Sequence, residues 1–180
     1  TMGDVLFRGN SSSSAFLVQN TGGATVLNVD TVKKQLAVRG SNQSTYIKTW
    51  GGIGWDQSTS VASTTDGGHM VTGQTDSYGS GSYDVFLAKY DSAGNLSWDK
   101  TWGGTDSDVS NSVIQTADGG YAVTGATASY SVGSYDMFLT KYDSAGNLSW
   151  NKTWGGVLGD VGDSVVQTAD GGYAVIGHTS

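Results

Sequence analysis

Between residues 110 and 154, runs of β-branched, aromatic and small polar residues alternate with clusters of Gly, Asp, Ser and Asn. Runs of this length and make-up, punctuated in this way, predict four strands: Ser110–Thr116, Tyr121–Thr127, Tyr135–Tyr142 and Leu148–Trp154. Asp118-Gly119-Gly120 is expected to join the first two as a tight hairpin with a two-residue loop, because glycine supplies the positive φ such a loop needs. Asp143-Ser144-Ala145-Gly146-Asn147 is expected to join the last two in the same way. The second-to-third connection, Ala128–Ser134, is longer and rich in Ser, Tyr and Gly.

The same pattern recurs. Lys-Thr-Trp-Gly-Gly begins at Lys48, Lys100 and Lys152, a period of 52 residues. Residues 48–99 and 100–151 match at 35 of 52 positions without a gap, and the shorter third copy, 152–180, matches the second at 20 of 29. A period near 50 with four strands per period is the pattern of β-propeller blades. The fold class expected is therefore all-β: propeller-type four-stranded blades, two full and one partial per chain, over residues 44–180. The strand tally, counting a last strand over 44–51, falls about one strand short of three blades. Rings close with about four to eight blades or more, so one chain does not close one. A dimer would give about six blades and a trimer about nine; otherwise the chain belongs to a longer array. Each copy carries two tryptophans four residues apart, Trp98 with Trp102 and Trp150 with Trp154, and Trp50 stands in the leading partial copy. Four apart on a strand, they share a face. Because they repeat, they are expected to pack between blades, with sugar stacking as the alternative.

Residues 1–43 lie outside the repeat. Three short strands are expected there, Ala15–Gln19, Thr25–Val29 and Gln35–Val38, linked by Asn20–Gly23 and Asp30–Lys34. Strands this short bury little surface alone and would gain stability from several intertwined chains.

Composition agrees with an all-β chain. Of 180 residues, 28 are glycine, none is proline or cysteine, and all 16 acidic residues are aspartate. Glutamate favours helices, whereas aspartate and glycine favour turns. Without cysteine there are no disulfides, catalytic thiolates or sulfur-ligated zinc sites. A net charge of −7, with 9 basic residues spread thinly, argues against a nucleic-acid groove. No apolar run approaches the roughly 18 to 20 residues of a membrane helix, so no membrane insertion is expected.

Candidate chemistry is sparse. His69 falls where the other copies have Tyr121 and Tyr173, and His178 aligns with Gln74 and Ala126; neither has metal-ligand spacing. Asp56, Asp108 and Asp160 recur in the loop after Trp-Gly-Gly, with Asp106 and Asp163 nearby. Such oxygen-rich loops are candidates for Ca2+, but the Asp-x-Asp-x-Asp-Gly pattern is missing and a recurring aspartate caps turns. No catalytic residue is assigned. Tyr78 and Tyr130, in the variable loops, and Trp55, replaced by Ser107 and Gly159 in the other copies, are the candidate ligand-binding residues, because exposed aromatic faces stack on sugars or on partner side chains.

The sequence Asp-Gly-Gly-Tyr, Val-Thr-Gly, Tyr-Asp-x-Phe-Leu-x-Lys-Tyr-Asp-Ser-Ala-Gly-Asn-Leu-Ser-Trp and Lys-Thr-Trp-Gly-Gly resembles the β-propeller repeats of large bacterial and archaeal surface proteins. It covers residues 44–180 and bears on fold rather than on function. Phe16, Val18, Gln19, Asn20, Gly23, Leu27, Asn28, Val29, Asp30 and Thr31 resemble a module of phage tail fibres and similar surface fibres. Together the resemblances imply an extracellular, cell-surface or virion location. They imply a non-enzymatic structural or adhesive module that forms a homo-oligomer through completed blades, a trimer by the fibre analogy or a dimer by ring size, and that contacts glycans or a surface receptor. The Asp-Ser-Ala-Gly-Asn-Leu-Ser-Trp segment is also similar to the tryptophan-docking turn of quinoprotein dehydrogenases, though one residue shorter between Asp and Gly. That keeps a propeller enzyme, glycoside-active or quinoprotein-like, as the alternative. The calcium and quinone site of those enzymes has no counterpart here.

Overall fold

The computed structural model describes the backbone of residues 14–19, 25–30 and 35–38 and the whole of residues 48–180. The chain divides into two units, Thr1–Thr49 and Trp50–Ser180. In the first, β1 (Ser14–Gln19), β2 (Thr25–Asp30) and β3 (Gln35–Val38) form an antiparallel meander. Leu27 is paired with Val18 on one side and Val38 on the other. The expected links Asn20–Gly23 and residues 31–34, and residues 44–47 of the expected leading strand, lie outside the described residues. Residues 48–51 of that strand are described and make no strand.

In the second unit each repeat makes one antiparallel sheet in strict chain order. The first is β4 (Asp56–Ser63), β5 (His69–Thr75), β6 (Asp84–Tyr90) and β7 (Leu96–Trp102). The second is β8 (Asp108–Gln115), β9 (Tyr121–Thr127), β10 (Asp136–Tyr142) and β11 (Leu148–Trp154). The third has two strands, β12 (Asp160–Gln167) and β13 (Tyr173–Thr179). The all-β expectation holds. The first strand of the second sheet starts two residues earlier than its sequence predicts, because Asp108 already pairs with Thr127. The hairpin loops are longer than the expected two residues. Gln115 pairs with Tyr121, leaving Thr116–Gly120 to turn, closed by bonds from Thr116 N–H to Gly120 O and from Gly119 N–H to Thr116 O, both 2.9 Å. The longer loop is held from within by Asp118, whose Oδ1 accepts from the Gly120 N–H at 3.0 Å.

The sheets stack, with β8 packing on β4, β5 and β6, and β12 on β8, β9 and β10. One core, built on Met70, Val85, Leu87, Trp102, Val113, Tyr121, Val123, Phe138 and Tyr142, fills the first seam. A smaller one, built on Ala122, Leu139 and Val165, fills the second. Alternation of side chains along a strand sends odd positions of β9 to one seam and even positions to the other, which is why all of Tyr121–Thr127 is buried. Equivalent residues differ in exposure. Val113 and Val165 are 4% and 2% exposed, whereas Val61, on the outer side of the first sheet, is 66% exposed.

Close approach of the strands dictates one recurring glycine. Each first strand carries a register shift, between Ser58 and Ser60, Ser110 and Ser112, and Gly162 and Ser164. The bulge presses a carbonyl onto the second strand, and a Cβ on Gly73, Gly125 or Gly177 would lie 1.9, 2.0 and 1.9 Å from the oxygens of Gln57, Val109 and Val161. Only glycine fits there.

The stack predicts unequal costs for equivalent substitutions. Trp102→Ala, at a seam position 8% exposed, should destabilise the protein by about 3 kcal/mol or more. Trp154→Ala, at the same repeat position but 49% exposed, should cost less than about 1 kcal/mol. Urea unfolding of the two variants measures both.

Candidate functional site

The recurring tryptophan at the end of Lys-Thr-Trp builds each aromatic corner. Trp50 stacks on Phe86 of β6, with centroids 4.0 Å apart and planes at 18°, and lies 5.4 Å from Tyr78. One repeat on, Trp102 lies 4.5 Å from Phe138 of β10 and 5.2 Å from Tyr130. The tyrosine hydroxyls reach back to the Trp-Gly-Gly backbone: Tyr78 donates to Gly51 O at 3.3 Å and Tyr130 to Gly103 O at 2.8 Å. Both tyrosines remain half exposed. They stand at corresponding corners of consecutive sheets, each beside a tryptophan assigned to packing. The other pair, Trp98 and Trp150, packs edge-on against Tyr121 and Tyr173 of the following sheet, each at 5.7 Å.

At the first corner Trp50, Tyr78, Asp99, Lys100 and Thr101 line an open groove of about 400 Å³. Trp50 Nε1 donates to Asp99 Oδ2 at 2.9 Å, which fixes the indole over the groove. An aromatic wall with a carboxylate, an ammonium and a hydroxyl offers a stacking face and partners for several hydroxyl groups of a ligand. Trp55 belongs to a different arrangement. It is half exposed, its ring meets Tyr83 edge-on at 5.6 Å, and its backbone N–H donates to Asp76 Oδ1. Lys100 and Tyr83 are not distinguished in the sequence from their equivalents Lys152 and Tyr135, and Asp99, where the next copy has Asn151, gives no sign there that it meets Trp50.

Asp56, Asp108 and Asp160 begin the first strands of three successive sheets. Asp56 accepts from Gly52 N–H at 2.9 Å, from Ser77 Oγ at 2.8 Å and from Thr75 Oγ1. Burial pushes its carboxyl up, but the bonds from Thr75, Gly52 and Ser77 outweigh burial and hold it below the ordinary carboxylate range. Asp108, fully buried, accepts from Gly104 N–H at 2.9 Å, Ser129 Oγ at 2.6 Å and Thr127 Oγ1. Asp160 accepts from Gly156 N–H at 2.9 Å. These oxygens fasten the Trp-Gly-Gly loop, and for Asp56 and Asp108 also the variable loop, to the strand. Among the described residues no three His, Cys, Asp or Glu side chains converge as a metal cluster would require.

A second aspartate stands at two of these corners, beside Asp108 and beside Asp160, and it is legible only in three dimensions. Asp84 is buried, and at Gly103 a Cβ would lie 2.1 Å from Asp84 Oδ1 and 2.6 Å from Asp108 Oδ2. At Gly155 the corresponding oxygens belong to Asp136 and Asp160, at 2.3 and 2.8 Å. This crowding explains the first glycine of Trp-Gly-Gly. Burial raises the Asp84 carboxyl, the Ser80 N–H opposes the rise, and the Asp108 charge adds to it.

At the opposite end of the strands a buried lysine meets the hairpin aspartate. Lys89 Nζ lies 2.7 Å from Asp66 Oδ2, and Lys141 Nζ lies 2.9 Å from Asp118 Oδ2. Each ammonium also donates to a backbone carbonyl, Lys89 to Tyr90 O and Lys141 to Tyr142 O. The bond from Lys89 lowers Asp66 furthest, followed by that from Thr64; Asp118 is lowered first by Thr116 and then by Lys141. Of the histidines, His69 is half-buried on β5, and His178 Nδ1 lies 2.9 Å from Asp163 Oδ2 in an exposed pair.

No family model matches the chain. It is similar to the regulatory protein FlaEY of Caulobacter vibrioides, with 32% identity over 125 residues, which is 61% of this chain and 13% of that protein. The chain thus spans only a small part of the length of the relative it matches.

The carboxylates set the acid response. Asp66, Asp91, Asp118, Asp143 and Asp170 all titrate below their ordinary value in the folded chain. Their contribution is complete above an unfolded value of about 3.9 and is lost as pH falls through the lowered folded values. Asp84, raised, acts in the opposite sense. The urea midpoint should therefore drop steadily below about pH 4. Asp118→Asn should flatten that drop, which a series of unfolding curves from neutral to acid pH would show.

Proposed function

We propose that the chain is a non-enzymatic structural and adhesive module, built from β-propeller-type blades, that acts at a cell or virion surface. The observation that carries this reading is the repeated seam. Successive repeats stack sheet on sheet, with a tryptophan against the third-strand phenylalanine in the two complete copies and the same glycine on every second strand, and the recurring carboxylates are occupied in fastening loops. Binding is then left to the half-exposed aromatic corners, with the groove of Trp50, Tyr78, Asp99 and Lys100 suited to a glycan or a receptor loop. Similarity to a small part of a much longer protein fits a repeat that is used as one piece of a larger array. The exposed outer faces of the end sheets, and the three-stranded N-terminal unit, favour self-association into a trimer or a dimer. Among the described residues no helix is long and apolar enough to cross a membrane.

Two measurements test this. Light scattering over a range of concentrations should give a stable trimer or dimer; a monomer throughout would remove the self-association. Titration of the intrinsic tryptophan fluorescence with an oligosaccharide that scores on a glycan array should saturate, and Tyr78→Ala should weaken the binding about tenfold or more. An array without a single positive, together with host-cell binding unchanged by Trp55→Ala and Tyr78→Ala, would remove the glycan part of the reading.

A further inference from the structure

The first seam holds a pocket at the hairpin end of its strands, away from the aromatic corners. Its volume is about 310 Å³, and Asp66, Lys89, Trp98, Gln115, Tyr121 and Ser144 are among the residues that line it. Both walls come from complete four-stranded sheets, Asp66, Lys89 and Trp98 from the first repeat and Gln115, Tyr121 and Ser144 from the second. The pocket is therefore a property of one repeat stacked on the next and owes nothing to either end of the chain.

Each lining group has a fixed place. Lys89 stands opposite Trp98 across β6 and β7, so ammonium and indole project from the same face of the sheet. The lysine side chain is 6% exposed, whereas that of Asp66, its partner, is 59% exposed and stands at the open mouth. An ammonium carries three N–H donors. Among the described residues Lys89 gives one to Asp66 and one to Tyr90 O, which leaves a third beside the pocket. Gln115 is fixed by the Thr65 N–H, which donates to its Oε1 at 2.8 Å. Gly146 lets the turn of the second sheet close on the indole: a Cβ there would lie 2.7 Å from Trp98 Cζ3. That approach brings Ser144 to the rim. The same frame recurs in the second seam. Lys141 stands opposite Trp150 and pairs with Asp118, and the Ala117 N–H donates to Gln167 Oε1 at 2.8 Å.

The pocket joins an aromatic surface to an ion pair that is neutral as a whole. A charged ligand would have to displace one member of that pair, and an apolar ligand would leave the remaining donor of a buried ammonium unmet. Adjacent hydroxyls on one ring suit both partners at once: one oxygen accepts from Lys89, and the neighbouring hydroxyl donates to Asp66. Ligand pockets span about 300 to 1,000 Å³, and one at the lower end takes a single ring.

We propose that this pocket binds one neutral hexopyranose unit of a glycan, with the ring against Trp98 and adjacent hydroxyls on the Lys89–Asp66 pair. It shares a ligand class with the groove at Trp50 but no residue, so either site can fail alone.

The test follows the indole N–H signals of the isotope-labelled 180-residue chain by NMR as the methyl glycosides of glucose, galactose and mannose are added. The Trp98 signal, assigned with Trp98→Phe, should shift and saturate for at least one of them, with a Kd of about 1 to 10 mM. Ser144→Trp, in an exposed turn, fills the pocket and should weaken that response about tenfold or more, whereas Tyr78→Ala should leave it unchanged. Lys89→Met, checked for folding by circular dichroism, should weaken it as well. No saturable shift at Trp98 at about 100 mM of every glycoside, or a shift that Ser144→Trp leaves unaltered, would overturn the proposal. So would tighter binding of methyl glucuronide than of methyl glucoside, since a carboxylate would then be the recognised group. A shift at Trp50 with none at Trp98 would overturn this site and leave the reading of the Trp50 groove standing.

Discussion

The stack depends on the contact between the tryptophan that ends one repeat's last strand and the phenylalanine on the third strand of the next sheet. Two sheets packed face to face need large, rigid side chains to fill the space where their twisted edges diverge. Trp102 over Phe138 fills it between the first two sheets, and Trp50, outside any strand, covers Phe86 at the equivalent corner of the first. The tyrosine of the variable loop closes the corner by bonding to the carbonyl just after the tryptophan. An aspartate then ties the following glycine and, in the two complete copies, the variable loop back to the strand. Lys-Thr-Trp-Gly-Gly therefore recurs because it is a joint: a strand end, a wedge, and two residues without side chains where the carboxylates crowd in.

Polar groups finish what the aromatic wedge begins. Ser110 Oγ bonds across the first seam to Gly73 O at 3.0 Å, and Asn111 Nδ2 bonds across the second to Gly162 O at 3.1 Å. The Thr65 and Ala117 N–H groups each donate to a glutamine of the next sheet, Gln115 and Gln167, at 2.8 Å. Such bonds add little net stability in water-exposed places, but a buried seam without them would leave strand carbonyls unpaired. They also fix the lateral register of one sheet on the next, which apolar contacts alone leave loose.

Much of this was legible in the sequence. The period, the strand boundaries over 121–127 and 148–154, and the packing role of Trp102 follow from spacing and residue type. The hairpins are less legible, because Asp-Gly-Gly by itself has the make-up of a complete loop. It is the second half of a five-residue turn whose first half is Thr116-Ala117, ordinary strand residues in isolation. The buried aspartates Asp84 and Asp136 were hidden for another reason: each precedes a strand pattern that looks apolar, and its neighbour Asp108 or Asp160 is 24 residues away. Trp55 and Tyr78, considered together on the sequence, stand in adjoining loops but turn their rings to different aromatic partners, Tyr83 and Trp50. Exposure decides such questions, and exposure depends on which sheet stands at the end of the stack.

Most side-chain hydrogen bonds across the seams share one further property. They join residues about one repeat apart: 51 positions for Thr59 to Ser110 O and again for Asn111 to Gly162 O, 53 for Val113 N–H to Ser60 Oγ. The entropy of closing a loop grows only slowly with its length, and here the length never grows at all. Each added sheet meets the same closure cost and the same gain as the one before, so the array behaves as a line of identical links with nearest-neighbour coupling. Lengthening such a protein by duplication leaves its folding problem unchanged.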